Sequence, residues 1–202
     1  MSDPRLDFWF EFASTYSYPA AMRIAELAHA RGVSVRWRPF LLGPIFKAQG
    51  WTTSPFNIYP AKGAYMWRDL QRICAAQGLP FVRPDVFPQN TLLAARGALV
   101  AFEQGWGEDF THAAYRSEFG EGQDIGQAGV VEDVLKKLHR DADAVIPQAQ
   151  SDAVRAALRA QCEEARALGI FGAPSFVTAD GELFWGNDRL EAALDWANTN
   201  SH

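Results

Sequence analysis

Apolar residues crowd the segment Asp7-Phe8-Trp9-Phe10-Glu11-Phe12, and a helical period takes over directly after Ala13-Ser14-Thr15-Tyr16-Ser17. The first reads as a strand, the second as a helix with Ala21, Ile24, Ala25 and Ala28 as its apolar positions. Gly32 punctuates that helix, and Val33 to Trp37 reads as a second short strand. For more than a hundred residues the period is then helical. Met66, Leu70 and Ile73 form one stripe, closed by Gly78 and Pro80, and Leu92, Leu93, Ala95, Leu99 and Phe102 form another. Val131, Val134, Leu135 and Leu138 give a third stripe, and Val154, Leu158, Cys162, Ala165 and Leu168 a fourth. Alternation returns in Ser175-Phe176-Val177-Thr178 and Leu183-Phe184-Trp185, joined by the turn signal Asp180-Gly181. A last helix places Leu190, Ala193, Leu194 and Ala197 on one face.

The order βαβ, helical block, ββα predicts an α/β chain: a thioredoxin-like fold opened by a large all-helical insertion. Residues 1–45 and 165–202 are expected to form the discontinuous thioredoxin-like part, and 46–164 the helical insertion. Where such folds perform redox chemistry, the first strand-to-helix corner carries Cys-x-x-Cys. Here it carries Ser14-x-x-Ser17. A helix start offers unpaired N–H groups and the positive end of the macrodipole, so the corner can stabilise a thiolate that another molecule supplies. A plain structural role for Ser14 is the N-cap of the helix that follows.

Two further segments bear on that corner. In a thioredoxin-like fold the proline of Gly172-Ala173-Pro174-Ser175 is cis and faces it, leaving the Ala173 backbone free to pair with an extended peptide. Trp185-Gly186-Asn187-Asp188-Arg189 either caps the last helix through Asp188, with Glu191 completing a capping box, or presents an anionic grip for an amino-acid head group.

With a net charge of −5 and a pI near 5.4, the chain is a poor match for nucleic acid or an anionic membrane surface. Seven Trp and fourteen Phe in 202 residues suit an aromatic core and a pocket for planar molecules. Cys74 and Cys162 lie far apart in helical patterns and read as buried, reduced thiols. Met1 to Arg5 lacks the features of a signal peptide and no apolar run approaches the ~20 residues of a membrane span, so a cytoplasmic location is expected. His29, His112 and His139 are too scattered for a metal site, and none is expected. The glycine-rich Gly120 to Gly126 lacks the ending of a phosphate loop, and Asp124 is expected to cap the helix of Val131 and Val134.

The entry segment Phe10 to Tyr18, the Phe171-Gly172-Ala173-Pro174 turn and the Trp185 to Arg189 run together resemble the 2-hydroxychromene-2-carboxylate isomerases and kappa-class glutathione transferases. Arg38 to Gly43, Asn57 with Pro60 to Gly63, Tyr65 to Leu70 and Phe87 to Asn90 are also similar, so the resemblance spans about residues 6 to 196. One departure is Thr15, where the family often has proline.

The resemblance implies an enzyme that uses glutathione as its cofactor, with a small aromatic or keto-acid substrate and a homodimeric state. By position, Ser14 would donate a hydrogen bond to the glutathione sulfur, and Ala173 and Pro174 would present the main chain to its cysteinyl part. Trp185, Gly186, Asn187 and Asp188 would hold the γ-glutamyl end, while Lys47, Asn57 and Phe87 would face the substrate. Isomerisation by reversible thiolate addition is the activity implied, with glutathione transfer or peroxide reduction as the alternative. Disulfide exchange needs a sulfur that Ser14 lacks. The remaining reading is a non-enzymatic module that binds peptides or thiols on a degenerate thioredoxin scaffold, which an absence of glutathione affinity in calorimetry would favour.

Overall fold

The computed structural model describes residues 4–199. Strand β1 (Arg5–Phe10) is central in a four-stranded sheet of order β2-β1-β3-β4. Its parallel neighbour is β2 (Ser34–Pro39), with Phe8 opposite Trp37. Its antiparallel neighbour is β3 (Ser175–Thr178), with Phe8 opposite Phe176, and β3 continues into the edge strand β4 (Leu183–Trp185).

The apolar run Phe8 to Phe10 of β1 follows from burial on both faces. Successive side chains alternate across a strand. Leu6, Phe8 and Phe10 therefore enter the larger core, and Trp9 enters a smaller one with Phe40, Ile45, Ala165, Ile170 and Val177. The expected strand ran to Phe12, but the ladder stops at Phe10. Glu11 and Phe12 already belong to a turn closed by the Ser14 N–H on the Glu11 carbonyl at 3.0 Å.

Helix α1 (Ser17–His29) crosses from β1 to β2, burying Ala20, Ala21, Ile24 and Ala28. Gly32, at φ 64°, turns the chain back into β2 in a left-handed conformation that glycine adopts without strain. Eight helices then lie between β2 and β3: α2 (Leu42–Ala48), α3 (Pro55–Ile58), α4 (Pro60–Gln77), α5 (Leu92–Glu103), α6 (Gly107–Tyr115), α7 (Ala128–Lys137), α8 (Ala142–Ala149) and α9 (Asp152–Ala167). A π-helical turn, Arg116–Gly120, extends α6. After β4, a 3₁₀ turn (Asn187–Arg189) leads into α10 (Leu190–Thr199). The aromatic core continues from sheet to helices, for Phe10 meets Phe102 of α5 at 6.5 Å and Tyr115 of α6 at 6.3 Å.

Three expected caps are not made. The N-cap of α1 is Tyr16, not Ser14, and no side chain caps it. Asp124 turns its carboxylate to the Gly126 N–H and the Gln127 side chain, four residues short of α7. Asp188 pairs with Arg189 at 2.9 Å, and Glu191 is drawn away to Arg23, so α10 has no capping box. In the last two cases a cation or a nearer N–H captures the carboxylate that a helix end could have used. Both cysteines are free, Cys74 buried and Cys162 half-buried.

Candidate active site

Between the sheet corner and α2–α4 lies a cavity of about 1120 Å³. That lies just above the ~300–1,000 Å³ usual for small-ligand pockets. Six of the residues singled out in the sequence line it: Ser14, Lys47, Phe87, Ala173, Trp185 and Gly186. Pro174, Asn57, Asn187 and Asp188 do not reach its wall.

Ser14 is placed by a turn: its N–H is bound to Glu11 and its carbonyl accepts the Ser17 N–H at 3.0 Å. Its hydroxyl donates to the carbonyl of Ala173 at 2.7 Å. The Ala173–Pro174 bond is cis, and the Pro174 carbonyl accepts the Gly186 N–H at 3.0 Å. Thus the Ser14 corner, the cis turn and the start of the Trp185 run are joined by main-chain and hydroxyl contacts. The hydroxyl stands where α1 begins, so the positive end of that helix faces the cavity. Thr15, in place of the family's proline, is buried and lines the cavity beside it. Ser17 is fully buried and lies off the cavity wall.

The Trp185 indole packs on Phe171, rings 4.9 Å apart at 62°. It also fits against Gly172, where any Cβ would collide with its ring. A side chain at that position would have to push the indole aside. Asn187 is buried, and both its side-chain oxygen and its carbonyl accept hydrogen bonds from Arg23 at 3.1 and 2.7 Å. Its amide oxygen is thereby committed to α1. Asp188 keeps a solvent-exposed carboxylate beside Arg189.

Behind the wall residues Thr53 and Phe87, Asn57 donates to the Thr53 hydroxyl and the Phe87 carbonyl, both at 3.1 Å. It therefore holds Phe87, whose ring meets Trp67 at 4.8 Å. Tyr16 lines the cavity while donating its hydroxyl to Asp69 at 3.0 Å, and its pKa is raised by burial and by that carboxylate. Among the described residues no group of three His, Cys, Asp or Glu is placed to hold a metal, and no helix is long and apolar enough to cross a membrane.

Sequence reasoning passed over three residues that shape this site. Arg23 fixes Asn187 from 164 positions away, a link no local pattern announces. Thr91 donates its hydroxyl to Glu11 from the start of α5. Glu11 itself is buried, with its pKa pushed up to about 7 by desolvation against the hydrogen bonds of Thr91 and Ala13. The available signal was a carboxylate interrupting the aromatic run Phe8 to Phe12.

Glu11 also makes stability depend on pH. Its folded pKa lies above the usual 4.5, so between about 4.5 and 7 the folded chain holds a proton that the unfolded chain has lost. Stability therefore falls as pH rises through that window, by about 3 kcal/mol for this group, and changes no further above it. Melting temperatures are expected to drop more between about pH 5 and about pH 8 in the wild type than in Glu11→Gln, as scanning calorimetry would show.

The mixed sheet, the cis-proline turn and a corner that carries serines and no sulfur define a thioredoxin-fold protein without a redox-active cysteine pair at that corner. Residues 5–195 match the family model of the DSBA-like thioredoxin domain. The chain is 32% identical to 2-hydroxychromene-2-carboxylate isomerase of Sphingobium xenophagum over 188 residues, covering 92% of this chain and 94% of that one. It is 26% identical to glutathione S-transferase kappa 2 of Caenorhabditis elegans, covering 94% and 89%. A solved 2-hydroxychromene-2-carboxylate isomerase superposes with a TM-score of 0.84 at 27% identity, over 98% of this chain and 99% of that one. The chain belongs to the DsbA-like thioredoxin family, within its group of 2-hydroxychromene-2-carboxylate isomerases and kappa-class glutathione transferases. It is an enzyme of that group.

Proposed function

We propose that the chain is a glutathione-dependent cis–trans isomerase of the 2-hydroxychromene-2-carboxylate isomerase type. The observation that carries this reading is the Ser14 hydroxyl, held at the wall of a largely apolar cavity where α1 begins, with no cysteine at the corner. The cavity's size supports a tripeptide and an aromatic acid side by side.

When bound, glutathione supplies a thiolate whose reversible addition to a conjugated double bond frees that bond to rotate. Ser14 gives up the Ala173 carbonyl and donates to the sulfur. Ala173 offers its main chain to the cysteinyl part, with Pro174 setting the direction of that backbone. Trp185 and Gly186 line the γ-glutamyl end, and the Asp188 carboxylate meets its amino group. Asn187 contributes as a fixed spacer, its side chain retained by Arg23. Lys47, an exposed cation on the cavity wall, faces the carboxylate of an aromatic α-keto acid. Phe87 stacks on the aromatic part, and Asn57 keeps it in place.

The resemblance to a kappa-class transferase supports a second reading, in which the same thiolate attacks an electrophile and stays attached, or reduces a peroxide. The purified chain, incubated with glutathione and, in turn, a conjugated aromatic α-keto acid, a small electrophile and a peroxide, tests both. Isomerisation with total free thiol unchanged is expected. Loss of thiol in step with product would select the transferase reading, and no glutathione-dependent conversion of either kind would overturn both.

A further inference from the structure

One carboxyl borders the cavity without a part in the scheme above. Glu11 is the only carboxylate on the cavity wall among the described residues. It is 6% exposed, and it accepts the Thr91 hydroxyl, which lines the same wall. The Glu11 carbonyl accepts the Ser14 N–H and the Tyr115 hydroxyl, each at 3.0 Å. The turn that aims Ser14 is therefore suspended from the residue that carries this acid.

We infer that Glu11 is the proton acceptor for a thiol bound at the Ser14 corner, an inference that rests on the glutathione reading above. The S–H bond breaks, its electron pair stays on sulfur, and the proton passes to a Glu11 carboxylate oxygen. The proton returns when the thiol leaves, so no outside acid or base is consumed.

The surroundings suit that exchange. With its pKa pushed up to about 7, the free carboxyl is ionised at mildly alkaline pH yet basic enough to accept a proton. A thiolate arriving beside it raises it further. The titratable groups that face it from packed elements are Tyr115 of α6, Glu118 of the π-helical turn and Cys162 of α9. Burial holds all three above their ordinary values. Glu118 is fully buried and neither of its oxygens has a hydrogen-bond partner, a setting in which a carboxylate must be neutral. It already holds its proton and cannot take another. Lys47 and Lys62 on the cavity wall are cations, which leaves Glu11 as the base.

Calorimetric titration with glutathione, in buffers of different ionisation enthalpy, reads the protons released on binding. Ultraviolet difference absorbance reads the thiolate formed, and S-methylglutathione, which has no thiol proton, serves as the blank. At about pH 7.5 the wild type is expected to release less than about half a proton per thiolate formed, and Glu11→Gln about one. Glu118→Gln should behave as wild type. Should Glu11→Gln fail to fold, the wild type alone still decides. Its release per thiolate should climb toward one by about pH 6, where Glu11 is already protonated. Thr91→Val, which removes a hydrogen bond that favours the ionised form, should move that climb to higher pH. Equal release from wild type and Glu11→Gln with thiolate present in both, or a flat wild-type profile, would overturn the inference and leave the glutathione reading standing. No thiolate in the wild type would remove both.

Discussion

Ser14→Ala is expected to slow glutathione-dependent turnover about 10- to 100-fold at neutral pH, with the fold intact. A free thiol has a pKa near 8.5, so only a few per cent is ionised at pH 7. One charge-assisted hydrogen bond contributes roughly 1.5–3 kcal/mol, equivalent to about one to two pKa units of thiol acidity. Without the hydroxyl that shift is lost, while the contribution of the α1 terminus remains. The acid limb of the rate–pH profile should move up by about one to two units, which distinguishes a lost donor from a lost binding contact. Stability should barely change, since Ser14 makes a single side-chain hydrogen bond, to Ala173, worth about 1 kcal/mol. A Ser14→Ala enzyme with the wild-type rate and pH profile would sink the assigned role.

Phe8→Ala is expected to cost about 3–5 kcal/mol and to lower the melting temperature by on the order of 10 °C. The ring has no exposed surface and stands at the centre of the sheet. Phe10 stacks on it at 5.2 Å, Phe176 at 5.5 Å, and Trp37 meets it edge-on at 5.0 Å. Those partners come from β1, β3 and β2, so the cavity left by alanine opens where three strands must stay in register. Backbone ladders prevent them from closing over it, which places the loss in the upper part of the range. Chemical denaturation followed by circular dichroism measures this directly, and a loss below about 1 kcal/mol would refute it.

How far the sequence disclosed these features depended on range and period. The long amphipathic helices were legible because their period runs over many residues, Phe8 to Phe10 by its density of aromatic residues, and the hairpin by its Asp180-Gly181 turn signal. The short helices α2 and α3 were not, being seven and four residues long with one buried side chain and none. Ser14, the Ala173–Pro174 turn and the Trp185 run were recognisable as motifs, and the structure brings Ser14, Ala173, Trp185 and Gly186 to one cavity. What no motif disclosed was competition for polar groups. Arg23 takes Asn187 and Glu191, Asn57 takes the Phe87 carbonyl, and Asp124 serves its own loop. The first two outcomes were set by partners that only tertiary packing brings near, and the third by nearer N–H groups of the same loop.

The position of β1 has a consequence for the chain's synthesis. Its β2 edge can pair as soon as residue 39 has emerged, but its other edge waits for Ser175, 165 residues after Phe10. At about 5–20 residues per second, that edge is open for on the order of ten to thirty seconds. During that interval Phe8, Trp9 and Phe10 present an aromatic, unpaired ladder to every other nascent chain nearby. The hydroxyl of Ser14 likewise lacks its carbonyl partner until Ala173 arrives. Truncation anywhere before β3 therefore removes the cavity's second wall and leaves a sticky half-sheet, so catalytic competence and protection from aggregation are acquired together, once β3 and β4 have been made.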